Sequence, residues 1–440
     1  MFFATTNEMS MLLPKFLCIK TLHQNHTFNN LKQEIDTMQF YKLKNNLNII
    51  IEDKKSESVT VQITVKVGSN DETKGIAGIS HFIEHMLFEG TKKRPDARTI
   101  SAEIENLGAE FNAFTTNERT SYYIKVPKKH LKTALELLSD MLFNSLFDEK
   151  KIEKERKVVL KEIDMVMDEP RNYQYILFEK TLFKKHPAKN PVYGTREAVS
   201  KISRKDMLHY YETHYLPNNM VISLAGGISS DAKALISNYF GNANPGKLLQ
   251  RKTIKEPQQK TKLVAVENRK MLSSYMILGY KTVPRSHKDS YALDLIYAVL
   301  GKGQSGWAFD EIRNKRGLAY EVRVLHQPNI DYGYFAVTVG TNKKNIPLVE
   351  KLLLDLFKKL QKLPKNEFDA AKTYIEGKYL LDKEDTHDLA EELTLWYLVS
   401  KAADAKNYLK NIRKVTLKEA RDAAKKYLNN AYTLTILKQK

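Results

Sequence analysis

The sequence contains a single cysteine, Cys18, in 440 residues. One thiol excludes an intrachain disulfide framework and is typical of a protein in a reducing compartment. The sequence also lacks any apolar run approaching the roughly 18 residues of a membrane-spanning helix. Hydrophobic residues still make up 42% of the chain, which is enough for full-sized cores. We therefore expect two or three domains and no membrane contact. A cytoplasmic location is expected, with the mitochondrial matrix as the less favoured alternative.

The first 37 residues lack the features of a targeting segment. They contain no arginine, which argues against a mitochondrial transit peptide, and they lack a charged opening region. Their apolar stretch is interrupted at Pro14 and Lys15, which makes it a poor secretory signal. Met38 comes just before a strand-like stretch at 40–53. We expect residues 1–37 to be an N-terminal extension, either a disordered tail or a misannotated start.

Lysine and arginine exceed the acidic residues and give a formal net charge of +19. Such a charge raises the possibility of nucleic-acid or anionic-surface binding. The basic residues are spread along the chain, however, and the sequence has no zinc-finger, RRM or RGG signature. We therefore expect no nucleic-acid partner.

The most informative pattern is His-Phe-Ile-Glu-His at 81–85. On an α-helix, residues i and i+4 lie on one face, so His81 and His85 could bind one metal ion together. Glu84 lies beside the two histidines, and its side chain would be directed toward the metal ion that they bind. This H-x-x-E-H order is the inverse of the commoner H-E-x-x-H zinc-protease motif. Two surface histidines and a solvated glutamate remain the alternative, because the pentapeptide can arise by chance.

A catalytic zinc ion takes three protein ligands, so a third one must come from elsewhere in the chain. Residues 148–170 predict one long helix that opens on Asp148 as N-cap and ends at Pro170. Glu155, Glu162 and Glu169 fall seven residues apart and share one stripe of this helix. Neighbouring lysines could pair with them, so a solvated helix face is the alternative.

From about Met38 onward, the sequence resembles the pitrilysin/insulinase family of zinc metallopeptidases, the inverzincins. It is most similar to their short two-domain form, found in bacterial homologues and in mitochondrial processing peptidase subunits. The segments that carry the resemblance are GIAGISHFIEHMLFEGT (75–91), ENLGAEFNAFTTNERTSYY (105–123), ERKVVLKEI (155–163) and FDEIRNKRGLAYEV (309–322).

The resemblance implies a zinc cofactor and a role for each residue of the site. It makes His81, His85 and Glu162 the metal ligands, since 76 residues lie between the second histidine and the third ligand in the family and in this chain. Glu84 would be the general base. Glu155, one heptad before Glu162, corresponds to a family glutamate that orients a ligand or shuttles protons.

The resemblance also implies residues that hold the substrate. The alternating stretch 111–115 corresponds to an edge strand with which an extended peptide pairs, and we expect Asn112 and Ala113 to contact substrate there. We expect Asn112 to do so through its side chain. Arg313 and Tyr320 correspond to an arginine–tyrosine pair that binds the substrate carbonyl and supports the oxyanion.

The two halves of the chain are a duplication. Residues 120–142 correspond to 332–357, and the second half lacks the zinc residues. We expect a zinc-bearing catalytic domain at 38–240, a linker at 241–262 rich in Gly, Pro, Asn and Lys, and a second homologous domain at 263–440. The implied fold class is α+β, each domain a largely antiparallel sheet packed with long helices, and the two domains form half of a clamshell.

The sequence therefore predicts a zinc-dependent metalloendopeptidase that hydrolyses peptides or short unfolded segments in a closed chamber. A homodimer suffices for this, because one chain carries both the zinc residues and the arginine–tyrosine pair, and a heterodimer with a related subunit stays open. The alternative is a non-catalytic scaffold or presenting subunit of a processing-peptidase-like complex. The sequence leaves the natural substrate and the cleavage specificity open.

Overall fold

The computed structural model of the chain describes residues 38–249, 251 and 254–440. The expectations for the N-terminal extension at 1–37, including Cys18, fall outside these residues. Within the part of the chain that is described, no helix has both the length and the apolar character needed to cross a membrane.

The described residues form two β-sheets, and the first has six strands. They are β1 (Met38–Lys42), β2 (Asn48–Asp53), β3 (Ser58–Val65), β4 (Glu110–Thr115), β5 (Thr120–Pro127) and β6 (Met220–Gly226). Their spatial order is β1-β2-β6-β3-β5-β4. All neighbours are antiparallel except β2 and β6, which are parallel. Strand β4 forms one edge of this sheet, so its outer backbone groups are available to pair with a further strand.

The second sheet has five strands. They are β7 (Leu263–Arg269), β8 (Ser274–Thr282), β9 (Ala319–Pro328), β10 (Gly333–Thr341) and β11 (Thr433–Gln439). Their order is β7-β11-β8-β10-β9, and only β7 and β11 are parallel. This repeats the order and directions of β2-β6-β3-β5-β4. The fold is therefore α+β with two homologous halves, each a largely antiparallel sheet packed with helices.

Helices fill the connections between the strands. In the first half they are α1 (Ile79–Met86), α2 (Ala97–Glu105), α3 (Leu131–Phe143), α4 (Glu149–Asp168), α5 (Pro170–Leu182), α6 (Arg196–Val199), α7 (Arg204–His214) and α8 (Ala232–Phe240). In the second half they are α9 (Asp289–Gly301), α10 (Trp307–Phe309), α11 (Ile346–Leu360), α12 (Lys365–Asp382), α13 (Thr386–Val399), α14 (Tyr408–Lys414) and α15 (Leu417–Tyr427). A π-helical turn, Asp310–Asn314, follows α10.

Strand β3 has one apolar and one polar face, because its successive side chains point to opposite sides of the sheet. Its valines and Ile63 pack into the core of the first half with α1 and α3. The alternate residues Thr60 and Gln62 face α13 of the second half. The hydroxyl of Thr60 lies 2.9 Å from that of Thr386, and Gln62 donates to Glu391 at 2.6 Å.

Helix α13 of the second half thus covers the first sheet, and helix α5 of the first half covers the second sheet. Phe178 of α5 packs against Ile277 of β8 and Ala336 of β10. Tyr334 donates from its hydroxyl to Glu179 of α5 at 3.2 Å. Helices α5 and α13 occupy equivalent places in the duplication. Each half therefore contributes one of these helices to cover the sheet of the other half.

The helix predicted at 148–170 forms, but it ends earlier than predicted. Asp148 caps α4 by accepting from the backbone N–H of Lys151 at 3.1 Å, as expected. The helix ends at Asp168, and Glu169 instead caps α5 by accepting from Arg171 N–H at 3.0 Å. Pro170 is the first residue of α5, where its missing N–H costs nothing. The expected stripe of three glutamates therefore has two members, Glu155 and Glu162.

Candidate active site

Helix α1 begins at a position that only glycine occupies without strain. Gly78 has φ +95°, and a Cβ there would lie 2.5 Å from the backbone oxygen of Tyr193. The carboxylate of Glu72 accepts hydrogen bonds from the N–H groups of Gly78 (2.7 Å) and Ser80 (2.9 Å). Burial raises the pKa of Glu72 to about 8, against the effect of these hydrogen bonds. The first turn of α1 is thus anchored by a side chain that precedes it.

His81 and His85 lie one turn apart on the side of α1 that faces α4. Their ring centroids are 4.7 Å apart. The rest of α1 is apolar, and Phe82, Ile83 and Met86 are buried in the core. Core packing therefore fixes the helix, and the helix directs both imidazoles toward α4.

Helix α4 presents two carboxylates to α1. Its apolar residues Ile152, Val159 and Ile163 lie in the same core as those of α1, which sets the rotation of the helix. Glu155 and Glu162, two turns apart, then face the histidines.

The four side chains meet in one cluster. The Oε2 atom of Glu162 lies 3.3 Å from Nε2 of His85 and 3.6 Å from Nε2 of His81. On the other side of the His85 ring, Nδ1 lies 3.3 Å from Oε2 of Glu155. Glu155 thus contacts the back of one imidazole, while Glu162 faces both.

These residues fit a catalytic zinc ion. Such sites use three nitrogen or oxygen ligands and keep a fourth position open. His81, His85 and Glu162 each offer one ligand atom, and these atoms all lie within 4.8 Å of one another. The side chain of Glu162 is 32% exposed, so solvent reaches the cluster on that side.

The two histidines differ in electrostatic environment. Burial, and then the neighbouring His85, lower the pKa of His81 to about 3, so its imidazole is neutral. Burial alone would lower the pKa of His85 as well. Hydrogen bonds with Glu155 and Glu162 outweigh burial and raise the pKa of His85 to about 10.

Glu84 is buried beside the cluster. Burial raises its pKa to about 7, against the influence of His85 and of a hydrogen bond from Thr115. The hydroxyl of Thr115 donates to Oε2 of Glu84 at 2.5 Å. A carboxyl group with a pKa near neutrality can accept and return a proton at physiological pH.

Asn112 and Ala113 lie on the edge strand β4, where they pair with Tyr123 and Tyr122 of β5. Ala113 packs against the core on the same face as Glu84. By the alternation of the strand, the side chain of Asn112 points to the opposite face. Its Oδ1 accepts from the N–H of Ala113 at 2.8 Å. This placement favours contact with substrate through the backbone of β4.

Arg313 and Tyr320 contact each other. Arg313 lies in the π-helical turn, donates to the backbone oxygen of Tyr320 at 2.8 Å and stacks 4.4 Å from its ring centroid. Tyr320 is 82% exposed. Among the described residues, no hydrogen bond, ion pair or ring contact joins this pair to the histidines or to Glu84.

A second group of potential ligand atoms is formed by Asp385, His387 and Asp388. Asp385 is the N-cap of α13 and accepts from the N–H groups of His387 and Asp388. Its other oxygen accepts from Lys125 at 2.8 Å. Helix capping and this ion pair explain why these three side chains lie close together.

Two residues beside the site were not predicted from the sequence. Thr115 contacts Glu84, and the ring of Tyr193 meets that of His81 edge-to-face, with centroids 5.1 Å apart. The Nδ1 atom of His81 is buried and has no hydrogen-bond partner among the described residues. Neither residue belongs to a local pattern that includes the histidines, so only the tertiary structure identifies them.

Family models match both halves of the chain. Residues 48–196 match the model described as insulinase (Peptidase family M16). Residues 201–375 match the model described as peptidase M16 inactive domain.

The chain is also similar to several bacterial proteins over most of its length. A Bacillus subtilis protein named uncharacterized zinc protease YmxG is 29% identical over 402 residues, which are 90% of this chain and 97% of that protein. An uncharacterized zinc protease of Streptomyces coelicolor is 30% identical, covering 92% and 90% of the two chains. One from Rickettsia felis is 31% identical, covering 80% and 85%.

Solved structures share the fold. A protease from Helicobacter pylori superposes with a TM-score of 0.87 at 25% identity, over 91% of this chain and 99% of that one. A structure described as a peptidase M16 inactive domain from Pseudomonas fluorescens superposes with a TM-score of 0.83 at 20% identity, over 92% and 98%.

Proposed function

The chain belongs to the insulinase family of peptidases, family M16, and from this premise we propose that it is a zinc-dependent endopeptidase that cleaves peptides and short unfolded segments. The observation that carries the proposal is the convergence of His81, His85 and Glu162 on one point, with Glu84 buried beside them. Relatives named zinc proteases support the choice of metal.

His81, His85 and Glu162 would hold the zinc ion. When bound there, Zn²⁺ supplies Lewis acidity toward the oxygen atoms of water and of a peptide carbonyl. Glu155 contacts Nδ1 of His85 at 3.3 Å and fixes the orientation of that ring. The three ligands and Glu155 thus form a preorganised cation site that includes two carboxylates.

Glu84 acts as the general base and acid. It removes a proton from the water that attacks the scissile carbonyl, and it later delivers that proton to the nitrogen of the leaving amine. The carbon–nitrogen bond breaks, and a carboxylate and an amine are formed. No nucleophilic side chain is required, so the reaction needs no covalent intermediate with the chain.

The substrate would pair with the outer edge of β4 as an additional strand. The outward-facing backbone N–H and C=O groups of β4 in the segment of Asn112 and Ala113 would then bind an extended peptide with little regard to its side chains, and the Ala113 N–H could take part once released from Oδ1 of Asn112. The face of β4 that carries Ala113 is also the face toward Glu84, so a paired peptide would lie beside the base.

We further propose that Arg313 and Tyr320 support the oxyanion of a substrate bound to another chain. Tyr320 is exposed, and the pair makes no contact with the zinc cluster of its own chain among the described residues. A homodimer would bring each pair opposite the zinc site of its partner and enclose the substrate between two half-clamshells; a related chain could take the partner's place. A reducing compartment such as the cytoplasm suits a chain with one cysteine.

The test is cleavage of a mixed peptide library by the purified protein, with and without a zinc chelator, followed by mass spectrometry of the fragments. We expect chelator-sensitive cleavage inside the peptides, restored by added zinc. Tight zinc binding without any cleavage would favour the alternative, a non-catalytic scaffold or presenting subunit.

A further inference from the structure

Within the described part of the chain, the general base of the proposed reaction has one hydrogen-bond partner. Thr115 donates to Oε2 of Glu84 at 2.5 Å, and Thr115 is itself buried. The other carboxylate oxygen, Oε1, makes no hydrogen bond to any described residue. Glu84 therefore has one occupied oxygen and one that is available to a reacting group.

Thr115 is fixed by the strand that carries it. It is the last residue of β4, pairs with Thr120 of β5, and its β-branched side chain has few rotamers in a strand. The Thr115 hydroxyl has two acceptors within reach, Oε2 of Glu84 at 2.5 Å and Oγ1 of Thr120 at 3.4 Å, and the contact with Glu84 is much the shorter. The donor is thus more rigid than the carboxylate that it contacts.

The turn after β4 is held by the second half of the molecule. The carboxylate of Glu118 accepts from the N–H of Ile330 at 3.0 Å, and the guanidinium of Arg119 donates to Glu391 of α13. The N–H of Thr116 closes the turn on the oxygen of Arg119 at 2.8 Å. These contacts fix the end of β4, and with it the position of the Thr115 hydroxyl.

A flexible glutamate must be held within a few tenths of an ångström of its working position to transfer a proton efficiently. We propose that Thr115 is a positioning residue for Glu84: its hydroxyl binds Oε2 and thereby directs Oε1 toward the attacking water. The inference rests on the proposed peptidase function and deepens it. One strand then both pairs with the substrate and orients the base, which couples the position of the peptide to the position of the proton acceptor.

The test compares Thr115→Val, which keeps the shape but removes the hydroxyl, with Thr115→Ser, which keeps the hydroxyl. The kcat and KM values for a peptide cleaved by the wild type are measured together with zinc content. Loss of a supporting contact typically costs about 10–100-fold. We expect Thr115→Val to lower kcat by that factor with KM and zinc unchanged, and Thr115→Ser to restore kcat to within about threefold of wild type.

Thr64→Val is the matched control, because it removes another buried hydroxyl of the same sheet, one that lies 2.8 Å from Ser121 and does not contact Glu84. Its kcat should equal that of the wild type. Should Thr115→Val fail to fold, Thr115→Ala takes its place.

Wild-type kcat in the hydroxyl-free variant, or equal losses in the Val and Ser variants, would overturn the positioning role while leaving the peptidase function intact. Absence of chelator-sensitive cleavage by the wild type itself would refute the proposed function, and the role of Thr115 with it.

Discussion

His85 is contacted by a carboxylate at each of its ring nitrogens, Glu162 at Nε2 and Glu155 at Nδ1, both at 3.3 Å. His81 shares Glu162, but no described residue hydrogen-bonds to its Nδ1, and its ring lies against Tyr193 and His85. At the residue scale, the two proposed ligands are therefore oriented by different means. One is fixed by ionic hydrogen bonding and the other by ring packing.

This difference predicts how the site responds to loss of single side chains. His81→Ala and Glu162→Gln each remove a proposed ligand and should lose both zinc and activity. Glu155→Gln keeps all three ligands and removes only a carboxylate behind His85, so zinc affinity or activity should fall by about 10–100-fold. Competition with a chromogenic chelator measures the affinities, and Glu153→Gln, on the exposed side of the same helix, is the control. Full zinc occupancy in Glu162→Gln would contradict the ligand assignment.

The sequence identifies the residues that a local pattern or a fixed spacing carries. The H-x-x-E-H motif places two histidines on one helix face, and the resemblance to the family selects Glu162 from a stripe that could equally be a solvated face. Thr115 and Tyr193 could not be found in this way. Thr115 reaches Glu84 only because a strand end packs beside a helix, and the register between those elements is set by the whole core.

At the scale of elements, the exchange of α5 and α13 determines how the two halves are joined. The surface of the first sheet that meets α13 combines hydroxyl and amide groups on β3 with apolar side chains on β2 and β6, whereas α5 meets the second sheet largely through apolar side chains. The duplicated pattern of strands and helices predicts two similar halves. It does not predict whether a helix covers the sheet of its own half or the sheet of the other half, because either arrangement would bury the apolar side of the helix.

The linker is anchored at Glu256. This carboxylate accepts hydrogen bonds from the N–H groups of Lys184, Lys185 and His186, each at 2.8 Å, and from Lys281 at 2.5 Å. Burial alone would raise the pKa of Glu256, but the bond from Lys281 and the three amides outweigh it and lower the pKa to about 2. One side chain thus connects the linker to the end of α5 and to β8.

A pKa lower in the folded state than in the unfolded chain, where it is about 4.3, stabilises the fold above that unfolded value. The contribution of the Glu256 carboxylate to the free energy of unfolding should be complete at pH 7 and lost as the pH falls through about 2. Glu256→Gln should therefore lower the melting temperature at pH 7 but bring it close to that of the wild type near pH 2. Thermal unfolding followed by circular dichroism measures both, with the exposed Glu57→Gln as control. An equal difference at both pH values would contradict this role of Glu256.

At the scale of the whole molecule, the zinc cluster and the Arg313–Tyr320 pair form two separate sites on one chain. In the proposed reaction, the first would supply the base and the second the oxyanion support, so each would be incomplete alone. The proposed homodimer would bring the two sites together across its interface.

Subunit exchange tests this arrangement. Glu84→Gln and the double variant Arg313→Ala/Tyr320→Phe should each be nearly inactive with zinc still bound. When they are mixed under conditions of free exchange, half of the dimers are mixed, and each of these has one site with an intact base and an intact pair. Up to about a quarter of wild-type activity should return on these two-site statistics.

Native mass spectrometry verifies the exchange independently of activity. Mixed dimers without recovered cleavage would mean that both elements act within one chain. A fully active monomer would refute the dimer arrangement without affecting the zinc site.

We propose that Glu84 performs the chemistry at a zinc ion held by His81, His85 and Glu162. This role is tested by the zinc content and the peptide-cleavage rate of Glu84→Gln, determined on the same preparation. We predict about one zinc ion per chain, as in the wild type, and a rate lower by at least about 100-fold, because the base is lost while the ligands remain. Near-normal cleavage by Glu84→Gln would contradict the account.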